Sequence, residues 1–261
     1  MKVGFIGCGN MGSALMRAAA CDKDIKISVY DKDTEKAERV AEELSACICT
    51  PEALAAECDV IYLGTKPNVI PDAAESIRKS IKAGAVVVSM AAGVKLEKLN
   101  ALLPDTAIIR IMPNTPAAVG RGMILWCKNA LVSEKNECDF IRSIGAAGEL
   151  LRINEEKIDA GTAVSGCGPA FVYMFIDAMI KGGIEAGLSP EEARLLATTT
   201  VEGAAVMTRL SDKTPEELRI AVCSPGGSTI EGVKSLMNDK LDDTVMAAVS
   251  ASFKRTVELG K

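Results

Sequence analysis

The chain has 261 residues, 48% of them hydrophobic and 25% charged, with a formal net charge of −5. It contains no histidine and only 3% aromatic residues, and no stretch is densely basic. These values fit a soluble globular protein of one large or two medium domains and argue against nucleic-acid binding.

The first 154 residues alternate between strand and helix patterns. Strands are expected at Val3–Ile6, Ile25–Tyr30, Ala46–Cys49, Val60–Leu63, Ala85–Ser89, Ala107–Met112, Met123–Trp126 and Leu150–Ile153. Helices fit between most of them, at Met11–Ala20, Thr34–Leu44 (capped by Asp33 or Thr34), Pro51–Glu57, Pro71–Lys79, Leu96–Leu102 and Glu134–Ile144. Such alternation predicts an α/β fold with a Rossmann-like doubly wound parallel sheet. The Met112–Met123 connection lacks a helix pattern, so the later strands can include antiparallel pairs.

After Asn154 the pattern is helical throughout. Ala170–Ala186 stops at Gly187, and Ser189-Pro190-Glu191-Glu192 forms a capping box ahead of a helix reaching about Arg209. Thr214-Pro215-Glu216-Glu217 repeats the device, and Ser228–Met237 and Asp243–Leu259 follow. The expected division is a dinucleotide-binding domain at 1–154 and an all-helical C-terminal domain at 155–261. The longest uncharged run, Ala160–Ile176, is shorter than the about 20 apolar residues that span a bilayer. No secretory cleavage pattern follows the N-terminus. A cytoplasmic protein with no membrane partner is expected.

Nine cysteines lie at scattered positions with no Cys-x-x-Cys. Without histidine they complete no zinc site, so no metal is expected, and they read as small apolar residues in a reducing compartment.

Gly7, Gly9 and Gly12 form G-x-G-x-x-G directly after the first strand and at the opening of a helix. The first permits a tight turn, the second admits a pyrophosphate to the backbone, and the third lets helix and strand pack closely. Asp31 ends the second strand, where a carboxylate accepts hydrogen bonds from the adenosine ribose hydroxyls and repels a 2′-phosphate. That favours NADH, whereas Lys32 and Lys36 nearby offset part of the repulsion. Two more loops fall at strand carboxyl ends, Gly64-Thr65-Lys66-Pro67 and Met112-Pro113-Asn114-Thr115-Pro116. Each has ordinary turn chemistry and a polar group facing the ligand side.

Two further glycine-rich turns lie in the helical part. Gly166, Gly168 and Pro169 head one apolar helix, and SPGGSTIEG, Ser224 to Gly232, heads another. In both, small residues are expected to expose backbone donors for a carboxylate. Ser228 and Glu231 have the spacing of a capping box. Hydroxy-acid dehydrogenases commonly need a His or Lys acid–base. A protonated cyclic imine needs only orientation, a seat for its carboxylate and a hydroxyl near nitrogen.

In GCGNMG, TKP, MPNTPAAVG, AVSGCGPAF and SPGGSTIEG the chain resembles the pyrroline-5-carboxylate reductase family over essentially its whole length. The resemblance implies NAD(P)H-dependent reduction of 1-pyrroline-5-carboxylate to L-proline by a homodimer or higher homo-oligomer. It implies that Gly7, Gly9, Asn10, Met11 and Gly12 hold the dinucleotide, with Asp31, Thr65, Lys66 and Pro67 beside it and Asn114 near the nicotinamide. It also implies that Ser224, Gly226, Gly227, Ser228 and Thr229 hold the substrate, Thr229 at the imine nitrogen. Two positions depart from the pattern. Cys167 stands where the family commonly has serine, and Asp31 stands where members preferring NADPH carry Ser, Thr or Arg. Two other readings share the N-terminal motif: a β-hydroxyacid dehydrogenase using Lys181, and a nucleotide-binding homologue without catalysis.

Overall fold

The computed structural model describes Met1–Gly260 and contains two compact units. One comprises Met1–Cys167 with the end of the last helix from Ser252, and the other Gly168–Ala251.

In the first unit the strands are β1 (Lys2–Ile6), β2 (Lys26–Tyr30), β3 (Cys47–Ile48), β4 (Val60–Leu63), β5 (Val86–Ser89), β6 (Ala107–Met112), β7 (Gly122–Lys128) and β8 (Gly148–Arg152). Its main helices are α1 (Asn10–Ala20), α2 (Thr34–Leu44), α3 (Pro51–Glu57), α4 (Ile70–Ile77), α5 (Leu96–Leu102) and α6 (Glu134–Ile144), with a short α7 (Ile158–Gly161). All eight strands join one sheet in the order β3-β2-β1-β4-β5-β6-β7-β8. Every pairing is parallel except β6 with β7. The antiparallel pair occurs where the sequence lacks a crossover helix, since a parallel return needs a longer connection.

Alternate residues feed two buried layers, one on each face of the sheet. Val60 and Tyr62 of β4 join Phe5, Leu15, Val88 and Phe140 on one side. Ile61 and Leu63 join Leu54, Ile70, Ile77 and Leu99 on the other. Phe5 and Tyr62 stack at 4.6 Å, and the Tyr62 hydroxyl shares a 2.5 Å hydrogen bond with Ser143. Doubly covered strands explain the nearly unbroken apolar runs.

Strand order reverses between β1 and β4, which opens a crevice at their carboxyl ends. Backbones meet closely there. Gly7 N–H donates to the Tyr30 carbonyl at 2.7 Å, and Gly64 N–H to that of Ile6 at 2.8 Å. Gly7 has φ +110°, and a Cβ on it would lie 2.7 Å from the Gly64 oxygen. A Cβ on Gly12 would collide with the Gly7 carbonyl oxygen.

The first unit continues past the pattern change at Asn154 because the next residues are tied to the sheet. Ile158 and Ala163 are fully buried. Arg110 of β6, only 1% exposed, donates to Glu155 Oε1 at 2.9 Å and lies 3.6 Å from Asp159. Glu155 Oε1 also accepts the Leu96 N–H at 2.7 Å. A buried guanidinium is tolerated only with such partners, so the ion cluster holds this segment against the sheet.

The second unit contains α8 (Gly168–Glu185), α9 (Pro190–Leu210), α10 (Pro215–Ala221), α11 (Ser228–Asn238) and most of α12 (Leu241–Leu259). Ser189 with Glu192 and Thr214 with Glu217 form the expected capping boxes. Among the described residues, its only buried apolar side chains are Ala193 and Ala197. Tyr173, Met174, Leu195, Met207, Leu210 and Met246 are all more than half exposed. Two alanines cannot provide a core for five helices, since each buried Leu or Met is worth about 1.5–3 kcal/mol and alanine far less.

Gly168 and Pro169 open α8 as expected, directly after a π turn that holds Gly166. Two expectations need correction. Helical structure runs from Glu155 to Glu185, with a π turn at Thr162–Gly166 in which Cys167 N–H reaches the Thr162 carbonyl. Pro169 is the second residue of α8, in the first turn, where a missing N–H costs no intrahelical bond. The run Glu155–Glu185 holds an 18-residue window of mean hydropathy 1.5 and is long and apolar enough by length and composition to cross a bilayer. The charges bounding the shorter run, Asp159 and Asp177, are paired with Arg110 and Lys181 and do not end the helix. Finally, Ser228 is not a cap: α11 starts after Gly227 with no side-chain cap, and Glu231 pairs with Lys234.

Removing the carboxylate in Glu155→Gln should cost about 2 kcal/mol, less than the roughly 3–5 kcal/mol of a fully buried pair, because Glu155 is partly exposed and Asp159 remains. Thermal denaturation should register this as a Tm lowered by roughly 4–8 °C; an unchanged Tm would show that the cluster anchors nothing. Gly12→Val should cost about 1–3 kcal/mol through overpacking. It should also weaken dinucleotide binding at least about tenfold in a fluorescence titration, a factor worth about 1.4 kcal/mol.

Candidate functional site

Outside β1 and β4 lies a cleft of about 700 Å3 within the first unit. Of the residues expected at the dinucleotide, Gly7, Gly9, Asp31, Thr65 and Lys66 line it. Asn10, Met11, Gly12, Pro67 and Asn114 do not. Asn10 and Met11 begin α1, whose N-terminus follows Gly9 with no side-chain cap. Its first N–H groups and partial positive charge therefore remain available to an anion. A Cβ on Gly9 would meet nothing within 4 Å, so the backbone there borders open space. Thr65 Oγ1 is buried with no hydrogen-bond partner, a hydroxyl without an internal use. These features fit a bound pyrophosphate and its flanking sugars.

Asp31 is tied into the glycine loop. Its Oδ2 accepts the Cys8 N–H at 2.6 Å, and its Oδ1 accepts the Asp33 N–H at 2.9 Å. Cys8 is buried behind this contact. Burial first, and the Asp31 charge second, push its thiol up to about 11, so it stays neutral. Lys32 and Lys36 also line the cleft, and Lys36 pairs with Asp33 at 2.8 Å.

Asn114 is buried and its amide is already engaged. Nδ2 donates to the Ser165 carbonyl at 2.9 Å, and Oδ1 accepts the Met123 N–H at 2.9 Å. The side chain thereby ties the loop after β6 to the π turn and to β7. Sequence reasoning missed Asn68, Asp72 and Ser76, which line the cleft from the turn before α4 and along α4 itself. Their spacing of four puts three polar side chains on one helical face directly after Lys66-Pro67, a readable signal.

In the second unit, Ser224, Ser228 and Thr229 are exposed. The Gly227 N–H closes a turn onto the Ser224 carbonyl at 3.0 Å, and Gly226 takes φ +71°. The turn delivers the chain into α11 with its first N–H groups uncapped and two hydroxyls beside them. Such a start can accept a carboxylate. Lys181, the alternative acid–base, is paired with Asp177 at 2.6 Å on the surface of α8.

Two family models match the chain: pyrroline-5-carboxylate reductase dimerisation over residues 155–259, and NADP oxidoreductase, coenzyme F420-dependent, over residues 2–93. Pyrroline-5-carboxylate reductase of Arabidopsis thaliana is 35% identical, over 100% of this chain and 96% of its own. That of Aquifex aeolicus is 36% identical over 99% and 97%. The crystal structure of Plasmodium falciparum pyrroline carboxylate reductase with NADP bound superposes with TM-score 0.87 at 31% identity, covering 100% of this chain and 98% of the other. With the glycine loop and the helical unit in place, full-length similarity of this degree settles the membership: the chain belongs to the pyrroline-5-carboxylate reductase family.

Proposed function

We propose that the protein reduces 1-pyrroline-5-carboxylate to L-proline, with the dinucleotide in the first unit and the acid on the Ser224–Thr229 turn. The observation that carries this is the uncapped start of α11, where Gly226 and Gly227 clear space beside free N–H groups and two hydroxyls. A reduced nicotinamide dinucleotide, when bound, supplies the hydride. The glycine loop and Lys66 hold its phosphates, and Thr65 Oγ1 donates to it.

The substrate's imine nitrogen carries a proton near neutral pH, so its ring carbon is already electron-poor. Hydride addition there moves the C=N electron pair onto nitrogen and leaves a neutral secondary amine. No side chain needs to remove a proton, which suits a chain without histidine. The backbone N–H groups of α11 hold the carboxylate, joined by Ser224 and Ser228. Thr229 Oγ1 hydrogen-bonds at the nitrogen and sets which carbon faces the hydride, a contribution through orientation. Asn114 acts one step back, by positioning the loop after β6.

The helical unit requires a second copy of the chain. Its apolar side chains lie on several helices and its internal core is two alanines, while residues 155–259 match a dimerisation family. A protein partner also accounts for the exposed apolar run Glu155–Glu185 without a bilayer. All nine cysteines are free, and burial pushes Cys58 and Cys127 up to about 12. They behave as apolar side chains, which suits the reducing cytoplasm.

Steady-state assay with pyrroline-5-carboxylate and either reduced dinucleotide should yield proline. Thr229→Ala should lower kcat about 10–100-fold, as expected for losing one oriented donor, while dinucleotide Kd stays within about twofold; unchanged kcat removes Thr229 from the reaction. Sedimentation at micromolar concentration should give a dimer or a multiple of it, with a Tm that rises with protein concentration. A concentration-independent monomer of full helicity would overturn the assembly.

A further inference from the structure

We infer that Asp31 makes this protein select NADH over NADPH, because its carboxylate is fixed where the 2′-substituent of the adenosine ribose must lie. The inference rests on the dinucleotide reading of the cleft and goes beyond it, since the P. falciparum structure holds NADP.

Three observations carry it. Asp31 lines the cleft beside Gly9 at the end of β2, the position facing the adenosine ribose in this topology. Both carboxylate oxygens are anchored by backbone donors, Oδ2 to Cys8 N–H at 2.6 Å and Oδ1 to Asp33 N–H at 2.9 Å. The group therefore cannot swing aside to admit a second anion. Each oxygen keeps a lone pair, so the pair can accept from the two vicinal hydroxyls of an unmodified ribose. A 2′-phosphate has no donor in its ionised form and brings a charge of about −1.5 to −2.

The neighbouring cations do not reverse this. Lys36 is exposed and pairs at 2.8 Å with Asp33, which itself caps α2, so the ammonium charge is shared and screened. Lys32 is exposed, and a single solvated ammonium is worth little against a fixed carboxylate at contact distance. Cys8 brings no charge of its own, because burial pushes its thiol up to about 11. Asp72, which also lines the cleft, adds a second negative charge.

Isothermal titration of the intact protein with ADP-ribose and with its 2′-phosphorylated analogue reads the selection without turnover. ADP-ribose should bind at least about tenfold more tightly to the wild type, a factor set by like-charge contact. Asp31→Asn keeps the size and one acceptor for the Cys8 N–H, and should bring the two affinities within about threefold. Circular dichroism confirms that the variant is folded, and the wild-type comparison stands even if it is not. Equal or tighter binding of the 2′-phosphorylated compound by the wild type overturns the inference, as does a selection that survives Asp31→Asn. If neither compound binds and no proline forms, the dinucleotide reading fails, and this inference with it.

Discussion

The crossing of backbones at Gly7 is the constraint on which the dinucleotide cleft depends. Three strands deliver their ends to this point: Gly7 bonds to the Tyr30 carbonyl, and Gly64 bonds to that of Ile6. The chain then turns through φ +110° and passes beneath Gly12. No side chain fits in this space, so the cleft floor is peptide, rigid and rich in N–H donors. Rigidity matters because a pyrophosphate bound by preset donors needs little reorganisation of the protein. Asp31 is part of the same assembly, since its carboxylate accepts an N–H from within the glycine loop.

Much of this was legible in the sequence, for physical reasons that differ between elements. Strands β4, β5 and β6 are covered on both faces, and their apolar runs stand out between turn residues. The glycine loop was legible because Gly7 and Gly12 sit where a Cβ would strike backbone, which fixes their spacing. Ser189 and Thr214 announced their helices through side chains that bond three residues away. Each of these signals is local.

The missed features are nonlocal or depend on backbone detail. Arg110 reads as an intrusion in AIIRIM, and its partner Glu155 lies 45 residues along the chain. Asn114 looked like a loop residue facing a ligand, yet its amide joins Met123 to Ser165. Gly168 and Pro169 open α8 as their residue types suggest, but the residue pattern gives no sign of the π turn at Thr162–Gly166 that precedes them. Ser228 had the right spacing to Glu231 for a cap, but Gly227 takes that position after the Gly226 turn.

That last displacement bears on the chemistry. A serine cap would have used its hydroxyl on the first turn of α11 and satisfied one of the free N–H groups. With glycine at the cap, the first N–H groups stay uncapped and neither the Ser228 nor the Thr229 hydroxyl is used as a cap, at a small cost in helix stability. The arrangement suits a reaction in which little must be done to the substrate. An iminium carbon attracts hydride unaided, so the protein's task is to hold a carboxylate and orient one nitrogen. In the proposed site, backbone N–H groups and a threonine hydroxyl would meet that demand at any pH where the imine is protonated. A ketone or alcohol substrate would need a proton delivered or removed. The only lysine that had a claim to that role, Lys181, is held on the surface by Asp177. The absence of histidine and the glycine cap thus point to the same substrate class.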